Sequence, residues 1–394
     1  MIVEPKVREY ICTTAHPQGC EESIKRQIEV VEKQGTMEGP KRVLVIGCST
    51  GYGLASRITS AFGCKAATIG IMFERPSNGK RTATPGWYNT VAFEKNAEKE
   101  GLYAKTINGD AFSKEVKDQT IELIKKDLGT VDMVIYSLAA PRRTMPDGSV
   151  ASSCLRTTGE AFTEKNLDLR NNEVNTKTVE PATDEELDGT IKVMGGGDWK
   201  DWIAALSEAG VLAEETVTVA YSYIGPKLTY PIYYNGTIGM AKRDLHQAAK
   251  DITAEFKTRG VQAYVSVNKA LVTQASAAIP VVPLYFAILY KVMKEHGTHE
   301  GCIQQISRLF HDKLLKEQPI TDNEGLIRMD DWEQDETIQK EVMDIWAKVD
   351  TDNVKQLADV DGYWEDFYHM FGFHYENLDY TKDVDVEVSI PSIQ

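Results

Sequence analysis

Tyrosine and lysine side chains recur in pairs along this sequence, and such a pair can polarise a carbonyl oxygen. A phenol hydroxyl can stabilise or protonate a developing oxyanion, and a neighbouring ammonium group lowers the phenol pKa from its ordinary value of about 10. On one helix face, the two side chains would be separated by three residues. The candidate pairs are Tyr223 with Lys227, Tyr290 with Lys294, and Tyr233 with Lys242.

The two pairs with three-residue spacing lie in sequence that does not suit a catalytic pair on one helix face. The first brackets Gly225 and Pro226, which interrupt a helix, so its side chains cannot share a helical face. The second, at Tyr290, has a helical pattern but follows a long apolar run. That pattern favours an ordinary amphipathic helix with a solvated lysine.

The third pair, Tyr233 and Lys242, is separated by eight residues. On one continuous helix, nine steps of about 100° would place the two side chains on opposite faces. The pair therefore works only if Tyr233 precedes the helix. Asn235 and Gly236 supply that break, and Thr237 is the predicted N-cap of a helix that carries Lys242 inward.

A glycine-rich turn follows the first predicted strand and precedes a predicted helix. Glycines in this position permit a tight turn and let a pyrophosphate approach the backbone, while the helix N-terminus offers free N–H groups. The turn therefore predicts a dinucleotide site, although a merely structural turn is the alternative. Its residues are Gly47, Cys48, Ser49, Thr50, Gly51, Tyr52 and Gly53.

An acidic residue near the end of the second predicted strand indicates which dinucleotide binds. Glu74, after Phe73, would accept hydrogen bonds from the adenosine ribose and repel a 2′-phosphate, which favours NADH over NADPH. Arg75 leaves NADPH open as the alternative. Further cofactor contacts are predicted after the third and fourth strands, although Asp110 fits an ordinary turn or cap equally well. These residues are Asp110, Ala111, Leu138 and Ala139.

Short apolar runs alternate with amphipathic stretches from residue 41 onward, the pattern of an α/β fold with a doubly wound parallel (Rossmann) sheet. The predicted strands cover residues 42–47, 66–73, 103–109, 131–139, 216–224 and 261–268. The helices between them are predicted at 53–62, 88–101, 113–129 and 237–260.

The remaining segments predict additions to a short-chain dehydrogenase/reductase-type core. We expect a leading segment with one helix at about 21–34, and a polar insertion that forms a hairpin or loop near the ligand-binding strand ends. The predicted division is a single enlarged Rossmann domain over 1–394, a dinucleotide-binding core at 41–290, the insertion at 140–185 and a C-terminal helical extension at 291–394.

Composition limits the classes of partner. The net charge of −15 argues against nucleic acid and anionic membrane surfaces as general partners. The start has no basic and apolar leader pattern and no stretch predicts a membrane span, so we expect a cytoplasmic protein. Six cysteines without a CxxC pair favour reduced thiols and no bound metal.

Blocks along nearly the whole chain resemble the trans-2-enoyl-CoA reductases and the related FabV-type enoyl-acyl carrier protein reductases, whose mark is Tyr-x8-Lys. The blocks include HPQGC, GCSTGYGLASRI, TPGWYN, GDAFS, YSLAAPRR, VMGGGDW, AYSYIGP, YNGTIGMAK, VSVNKALVTQASAAIPVVPLY and DDWE. The resemblance implies a monomeric, NADH-dependent enzyme without flavin. It would reduce enoyl-CoA or enoyl-acyl carrier protein substrates, in fatty acid or butyrate-type synthesis.

The same resemblance implies roles for individual residues. Tyr233 would be the proton donor, Lys242 the lysine of the nicotinamide ribose and active site, and Tyr223 a substrate contact. Tyr234 is a neighbouring phenol that a shift of the turn by one residue would present instead. The nicotinamide would lie along Leu271, Val272 and Thr273, and the acyl chain under Ile279–Tyr285, for which core packing is the alternative.

The implied reaction is hydride transfer to the β-carbon of the enoyl thioester, with Tyr233 and Tyr223 hydrogen-bonded to the resulting enolate oxygen. Two other functions remain open from the sequence. A short-chain ketoreductase or alcohol dehydrogenase would use a similar turn and Tyr-Lys pair, but with closer spacing. A sensor that binds NAD(H) without turnover would need the turn alone.

Overall fold

Seven parallel strands form the central sheet in the computed structural model of the chain, which describes residues 1–8, 11–276 and 279–393. The strands of the described residues are β1 Val7–Arg8, β2 Ile11–Cys12, β3 Arg42–Ile46, β4 Ala67–Met72, β5 Ala104–Asn108, β6 Val131–Tyr136, β7 Arg142–Thr144, β8 Val150–Ser152, β9 Phe162–Asp168, β10 Glu173–Val179, β11 Leu212–Ser222, β12 Gln262–Val267 and β13 Leu326–Arg328. The sheet runs in the order β13, β12, β11, β6, β3, β4, β5.

Helices cover both faces of this sheet. Their bounds are α1 Pro17–Gln34, α2 Gly51–Ile58, α3 Pro85–Lys99, α4 Lys114–Asp127, α5 Asp184–Met194, α6 Gly197–Glu208, α7 Thr237–Glu255, α8 Val282–Glu295, α9 Cys302–Arg308, α10 Glu336–Lys348, α11 Val354–Leu357 and α12 Val360–His369. Among the helices of the described residues, none is long and apolar enough to cross a bilayer.

Successive side chains of β3 point to opposite faces of the sheet and enter two separate cores. Val43 and Val45 pack with α1, α2, α3 and α9, whereas Leu44 and Ile46 pack with α4, α6 and α7. Both faces of the strand are therefore buried, which explains its continuous apolar sequence. The predicted doubly wound parallel sheet is confirmed.

The chain order reverses between β3 and β6, which are neighbours in the sheet. From β3 the chain runs outward through β4 and β5, and then returns to β6 on the other side. Ligands of doubly wound sheets bind beyond the carboxyl ends of the strands at such a point. The predicted glycine turn follows β3, so the fold places it in this crevice.

The additions to the core are partly as predicted. The insertion contains two antiparallel hairpins, β7 with β8 and β9 with β10. The tail also contributes β13, a seventh strand of three residues that pairs with β12 and that the sequence pattern did not predict. The predicted boundary between residues 290 and 291 lies within α8, and the division into segments stays a prediction.

A third apolar core forms where the tail packs against α8. It contains α10 and α12 together with the buried side chains of Tyr233, Leu271 and Val272. The predicted site residues therefore share a core with the tail. The block that contains Ala277 and Ala278 lies partly outside the described residues.

Candidate active site

The turn after β3 has the geometry of a phosphate-binding loop. Gly47 has a φ of 85°, and a Cβ atom there would lie 2.0 Å from the carbonyl oxygen of Ser137, which follows β6. Thr50 is the extended N-cap of α2, and its side chain makes no capping hydrogen bond within the described residues. The first N–H groups of α2 are thus left for an anion.

Glu74 lies beside this turn as the cofactor prediction required. Ser49 Oγ donates a hydrogen bond to its carboxylate at 2.7 Å. Asn108 fixes its backbone from β5, accepting from the Glu74 N–H at 2.8 Å and donating to the Glu74 carbonyl at 2.9 Å. Phe73 is 79% exposed at the same strand end. Cys48 is buried against Arg57, so only its backbone faces the crevice.

The predicted contacts after β5 and β6 lie along the same edge. Asp110 accepts a hydrogen bond from the Phe112 N–H at 3.0 Å, the turn that was its alternative role. Ala111 is buried, Leu138 is half-buried and Ala139 is exposed beyond β6. These residues are near the crevice, and their contact with a cofactor stays a prediction.

Side chains from three helices and one loop hold the backbone of residues 269–272, which overlaps residues 271–273, the segment predicted to lie along the nicotinamide. The hydrogen bonds are Tyr52 Oη to the Lys269 carbonyl (2.7 Å), Lys269 N–H to Gln305 Oε1 (3.0 Å), Ala270 N–H to Glu333 Oε2 (2.7 Å) and Val272 N–H to Tyr290 Oη (3.0 Å). Leu271 and Val272 are buried, and Thr273 N–H donates to Ser276 Oγ at 2.9 Å. These hydrogen bonds therefore hold the backbone of residues 269–273 in one position.

Tyr233 and Tyr223 face each other in the crevice. Their ring centroids are 4.7 Å apart and their planes lie at 85°, edge to face. Tyr233 is 6% exposed, whereas Tyr234 is 39% exposed and lies under the Arg243 guanidinium. Burial raises the pKa of both facing phenols, so they are neutral hydrogen-bond donors near neutral pH.

Tyr233 precedes α7, as its spacing from Lys242 required. The turn that carries it folds back onto the helix, and a Cβ atom at Gly239 would lie 1.9 Å from the Tyr233 carbonyl oxygen. Only glycine allows this approach. The break predicted at Gly236 is confirmed, since α7 begins at Thr237.

The predicted capping role of Thr237 is wrong. Gly236 is the N-cap, and the Thr237 hydroxyl is used by the insertion. It donates to the Cys154 carbonyl at 2.6 Å and accepts from the Arg156 N–H at 3.1 Å. Residues of the insertion thus hold the start of α7, which a local capping pattern could not reveal.

Lys242 lies one turn into α7 and points into the crevice. Its Nζ donates to the Tyr221 carbonyl at 2.9 Å, and burial lowers its pKa to about 8. Together with Tyr223 and His246 it lines a cavity of about 170 Å³. Tyr234 also lines this cavity, whereas Tyr233 packs against the ring of Tyr223 and is not one of the lining residues. Lys294, of a rejected pair, binds Asp359.

Glu333 is a site residue that sequence reasoning missed. Its side chain is fully buried and accepts hydrogen bonds from Tyr223 Oη at 3.0 Å and Tyr285 Oη at 2.7 Å. Burial raises its pKa to about 7. The DDWE block contained it, but nothing in the block indicated that the carboxylate would reach Tyr223.

The sheet, the glycine turn beside Glu74 and the buried tyrosines near Lys242 define a Rossmann-fold, nicotinamide-dependent oxidoreductase. The family model described as "Trans-2-enoyl-CoA reductase catalytic region" matches residues 81–315, and that of the "NAD(P)H binding domain of trans-2-enoyl-CoA reductase" matches residues 2–79. The chain belongs to the trans-2-enoyl-CoA reductase family.

Individual relatives match over the full length. A trans-2-enoyl-CoA reductase (NADH) from Ruminiclostridium cellulolyticum is 55% identical over 394 residues, with 100% of both chains covered. An enoyl-acyl-carrier-protein reductase (NADH) from Cytophaga hutchinsonii is 55% identical over 395 residues, again with 100% of both covered. The crystal structure of Clostridium acetobutulicum trans-2-enoyl-CoA reductase in complex with NADH superposes with a TM-score of 0.96 at 44% identity, covering 99% of each chain.

A third family model, described as "Enoyl reductase FAD binding domain", matches residues 321–384. This range contains 18 acidic and 5 basic residues, so its field would repel the pyrophosphate of a flavin dinucleotide. Tyr363 and Phe367 are fully buried and fill the core between α12 and α8.

Proposed function

We propose that this chain reduces the 2,3 double bond of trans-2-enoyl thioesters with NADH. The observation that carries the proposal is the pair of neutral phenols, Tyr233 and Tyr223, set edge to face at the core that also contains Leu271 and Val272. Tyr223 lines the cavity beside Lys242, and two phenols packed together suit an oxygen that gains negative charge during the reaction. The full-length likeness to reductases of enoyl thioesters supports the same substrate class.

In the proposed reaction, bound NADH supplies the hydride to the β-carbon of the substrate. Negative charge then moves to the thioester oxygen as an enolate, where Tyr233 and Tyr223 donate hydrogen bonds. A proton from Tyr233, the proposed donor, passes to the enolate and ends on the α-carbon, which completes the reduction, and solvent returns a proton to Tyr233. Lys242 would bind the nicotinamide ribose, and residues 271–273 would lie along the nicotinamide ring.

The proposal excludes flavin and metal from the reaction and takes NADH as the donor. The position of Glu74 beside the turn supports NADH, because the carboxylate can accept from ribose hydroxyls and would repel a 2′-phosphate. Of the described residues, no three His, Cys, Asp or Glu side chains are grouped to hold a metal ion. We further propose a monomeric cytoplasmic enzyme of fatty acid or butyrate-type synthesis that does not bind nucleic acid or insert into membranes.

Replacing Glu74 with Ser is expected to raise kcat/KM for NADPH about tenfold relative to NADH. Removal of one like charge near a 2′-phosphate is worth about 1–4 kcal/mol at short range, and about 1.4 kcal/mol corresponds to a factor of ten. The measurement is the ratio of kcat/KM values for the two cofactors in the wild type and the variant. An unchanged ratio would assign cofactor choice to other residues, and Phe73→Ser is the matched control at the same strand end.

The KM for NADH is expected to rise as the pH increases through about 8, where Lys242 loses its proton. The folded-state pKa is lowered, so the charged form that binds the ribose hydroxyls is present below this value and lost above it. KM should change about tenfold over about two pH units around this midpoint. In Lys242→Met the dependence should vanish; persistence of the same midpoint in that variant would contradict the role.

The acyl chain is proposed to lie under residues 279–285, at the start of α8. Tyr285 supports this placement, because its hydroxyl meets the same carboxylate as Tyr223. The carrier of the acyl chain is proposed to be coenzyme A or an acyl carrier protein, and an acidic carrier protein would need a basic docking patch on this acidic surface.

The test is steady-state oxidation of NADH by the purified chain with crotonyl-CoA, longer enoyl-CoA substrates and acetoacetyl-CoA. We expect turnover with the enoyl thioesters and a protein whose visible spectrum shows no flavin. Turnover with acetoacetyl-CoA alone would identify a ketoreductase. Binding of NADH without oxidation by any thioester would identify a sensor.

A further inference from the structure

Three hydrogen-bond donors converge on the buried carboxylate of Glu333. Oε1 accepts from Tyr223 Oη at 3.0 Å and Tyr285 Oη at 2.7 Å, and Oε2 accepts from the Ala270 N–H at 2.7 Å. Glu333 thus joins the substrate-side tyrosine to Ala270, the residue that precedes the segment 271–273 predicted to lie along the nicotinamide. No assigned role accounts for a carboxylate at this junction.

The bond between Tyr223 and Glu333 limits what Tyr223 can do. A phenol hydroxyl has one proton, and here Tyr223 donates it to the carboxylate. While Glu333 is ionised, Tyr223 therefore offers the crevice only acceptor lone pairs. A neutral Glu333 would reverse the bond, since its own O–H can donate to the Tyr223 oxygen and free the phenol proton.

The surroundings of Glu333 allow both its ionised and its protonated state. Withdrawal from water raises its pKa to about 7, and Asp330 raises it further, whereas the Ala270 N–H, Tyr285 and the Lys269 ammonium lower it. Lys269 is itself buried and donates to the Ala270 carbonyl at 2.9 Å. The other titratable groups that face Glu333 are the phenols of Tyr52, Tyr223 and Tyr233.

We propose that Glu333 is a positioning residue that determines, through its own proton, whether the Tyr223 phenol donates its hydrogen bond to Glu333 or to the substrate oxygen. This inference rests on the proposed function, and it adds a control over how many hydrogen bonds the enolate oxygen receives. Protonated Glu333 sets two donors, Tyr233 and Tyr223, on the enolate oxygen. Ionised Glu333 leaves Tyr233 as the donor and turns Tyr223 away.

The test is the pH profile of kcat with crotonyl-CoA for the wild type and Glu333→Gln. The wild-type kcat should fall about fivefold as the pH rises through about 7, the effect of one hydrogen bond. Gln remains neutral, can donate to Tyr223 through its amide and can accept from Ala270 N–H. Its profile should lack this fall while keeping the KM for NADH. The same fall in Glu333→Gln would overturn the proposal.

A matched control is Glu300→Gln, which alters another buried carboxylate, paired with Arg308 at 2.6 Å. Its profile should keep the fall near pH 7. In a Tyr223→Phe background, adding Glu333→Gln should change kcat less than about twofold, because the group through which Glu333 acts is gone. Equal effects of Glu333→Gln with and without Tyr223 would show a merely structural role.

Two further outcomes have their own tests: a Glu333→Gln variant that does not fold, and a wild type without the proposed activity. If Glu333→Gln does not fold, Tyr223→Phe alone should lose the fall near pH 7, and its persistence would overturn the proposal. If the wild type reduces no enoyl thioester, the proposed function fails, and difference infrared spectroscopy decides the rest. A carboxyl band that titrates near pH 7 and is altered by Tyr223→Phe supports the coupling; a band unaffected by that substitution overturns it.

Discussion

Replacing Tyr233 with Phe lowers kcat for crotonyl-CoA by about 10²–10³-fold and leaves the affinity for NADH nearly unchanged. The substitution removes one hydroxyl from a site where the phenol is buried, neutral and set against Tyr223. The missing donor stabilises charge that exists only during the reaction, so ground-state cofactor binding has little to lose. Steady-state kinetics and a fluorescence titration of NADH give the two quantities.

Tyr234→Phe is the matched control, because Tyr234 is the neighbouring phenol and is partly exposed under Arg243. Tyr234 also lines the cavity with Lys242, but its exposed ring is covered by the Arg243 guanidinium and is not paired with Tyr223, so the kcat of Tyr234→Phe should stay within about twofold of the wild type. A large loss in Tyr234→Phe together with near-normal turnover in Tyr233→Phe would move the donor role to Tyr234. The sequence alone left this choice open.

Replacing Gly47 with Ala is the second change with a large expected effect, a loss of about 3 kcal/mol or more of folding free energy. A Cβ atom would overlap the Ser137 carbonyl oxygen at 2.0 Å, and the φ of 85° is strained for any side chain. Relieving the overlap requires β3 and β6 to separate at the crevice. Urea denaturation measures the loss.

Gly51→Ala is the control for this prediction. Gly51 also has a positive φ, of 54°, but a Cβ atom there meets no atom of the described chain within 4 Å. We expect a stability loss of only about 1–2 kcal/mol, with NADH affinity weakened because the methyl group enters the space proposed for the pyrophosphate. Equal destabilisation by the two substitutions would show that the overlap at Ser137 is relieved without cost.

Short-range sequence patterns predicted the features of the site that depend only on residues close together in the chain. Strand β3 reads as continuously apolar because both its faces are buried, and the glycines after it need a tight turn. The separation of Tyr233 and Lys242 requires a break in the helix, and Gly236 supplies it. The family resemblance then assigned roles that spacing could not, and contact of these residues with ligands stays a prediction.

The parts that could not be predicted depend on contacts between distant segments. Glu333 lies 110 residues from Tyr223 and reaches it only because β13 pairs with β12 and brings the tail to the crevice. Strand β13 has three residues, too few for an alternating pattern. Thr237 fits a cap by type, but its hydroxyl is taken by an insertion that begins far upstream.

The most direct test of the central claim is the fate of the cofactor hydrogen. Crotonyl-CoA is reduced in ordinary water with NADH that carries deuterium at the transferred position, and the product is examined by mass spectrometry and NMR. Direct transfer predicts one deuterium, bonded to the β-carbon of the saturated thioester. A product without deuterium would show exchange through another carrier, and deuterium at the α-carbon would contradict the proposed direction of hydride transfer.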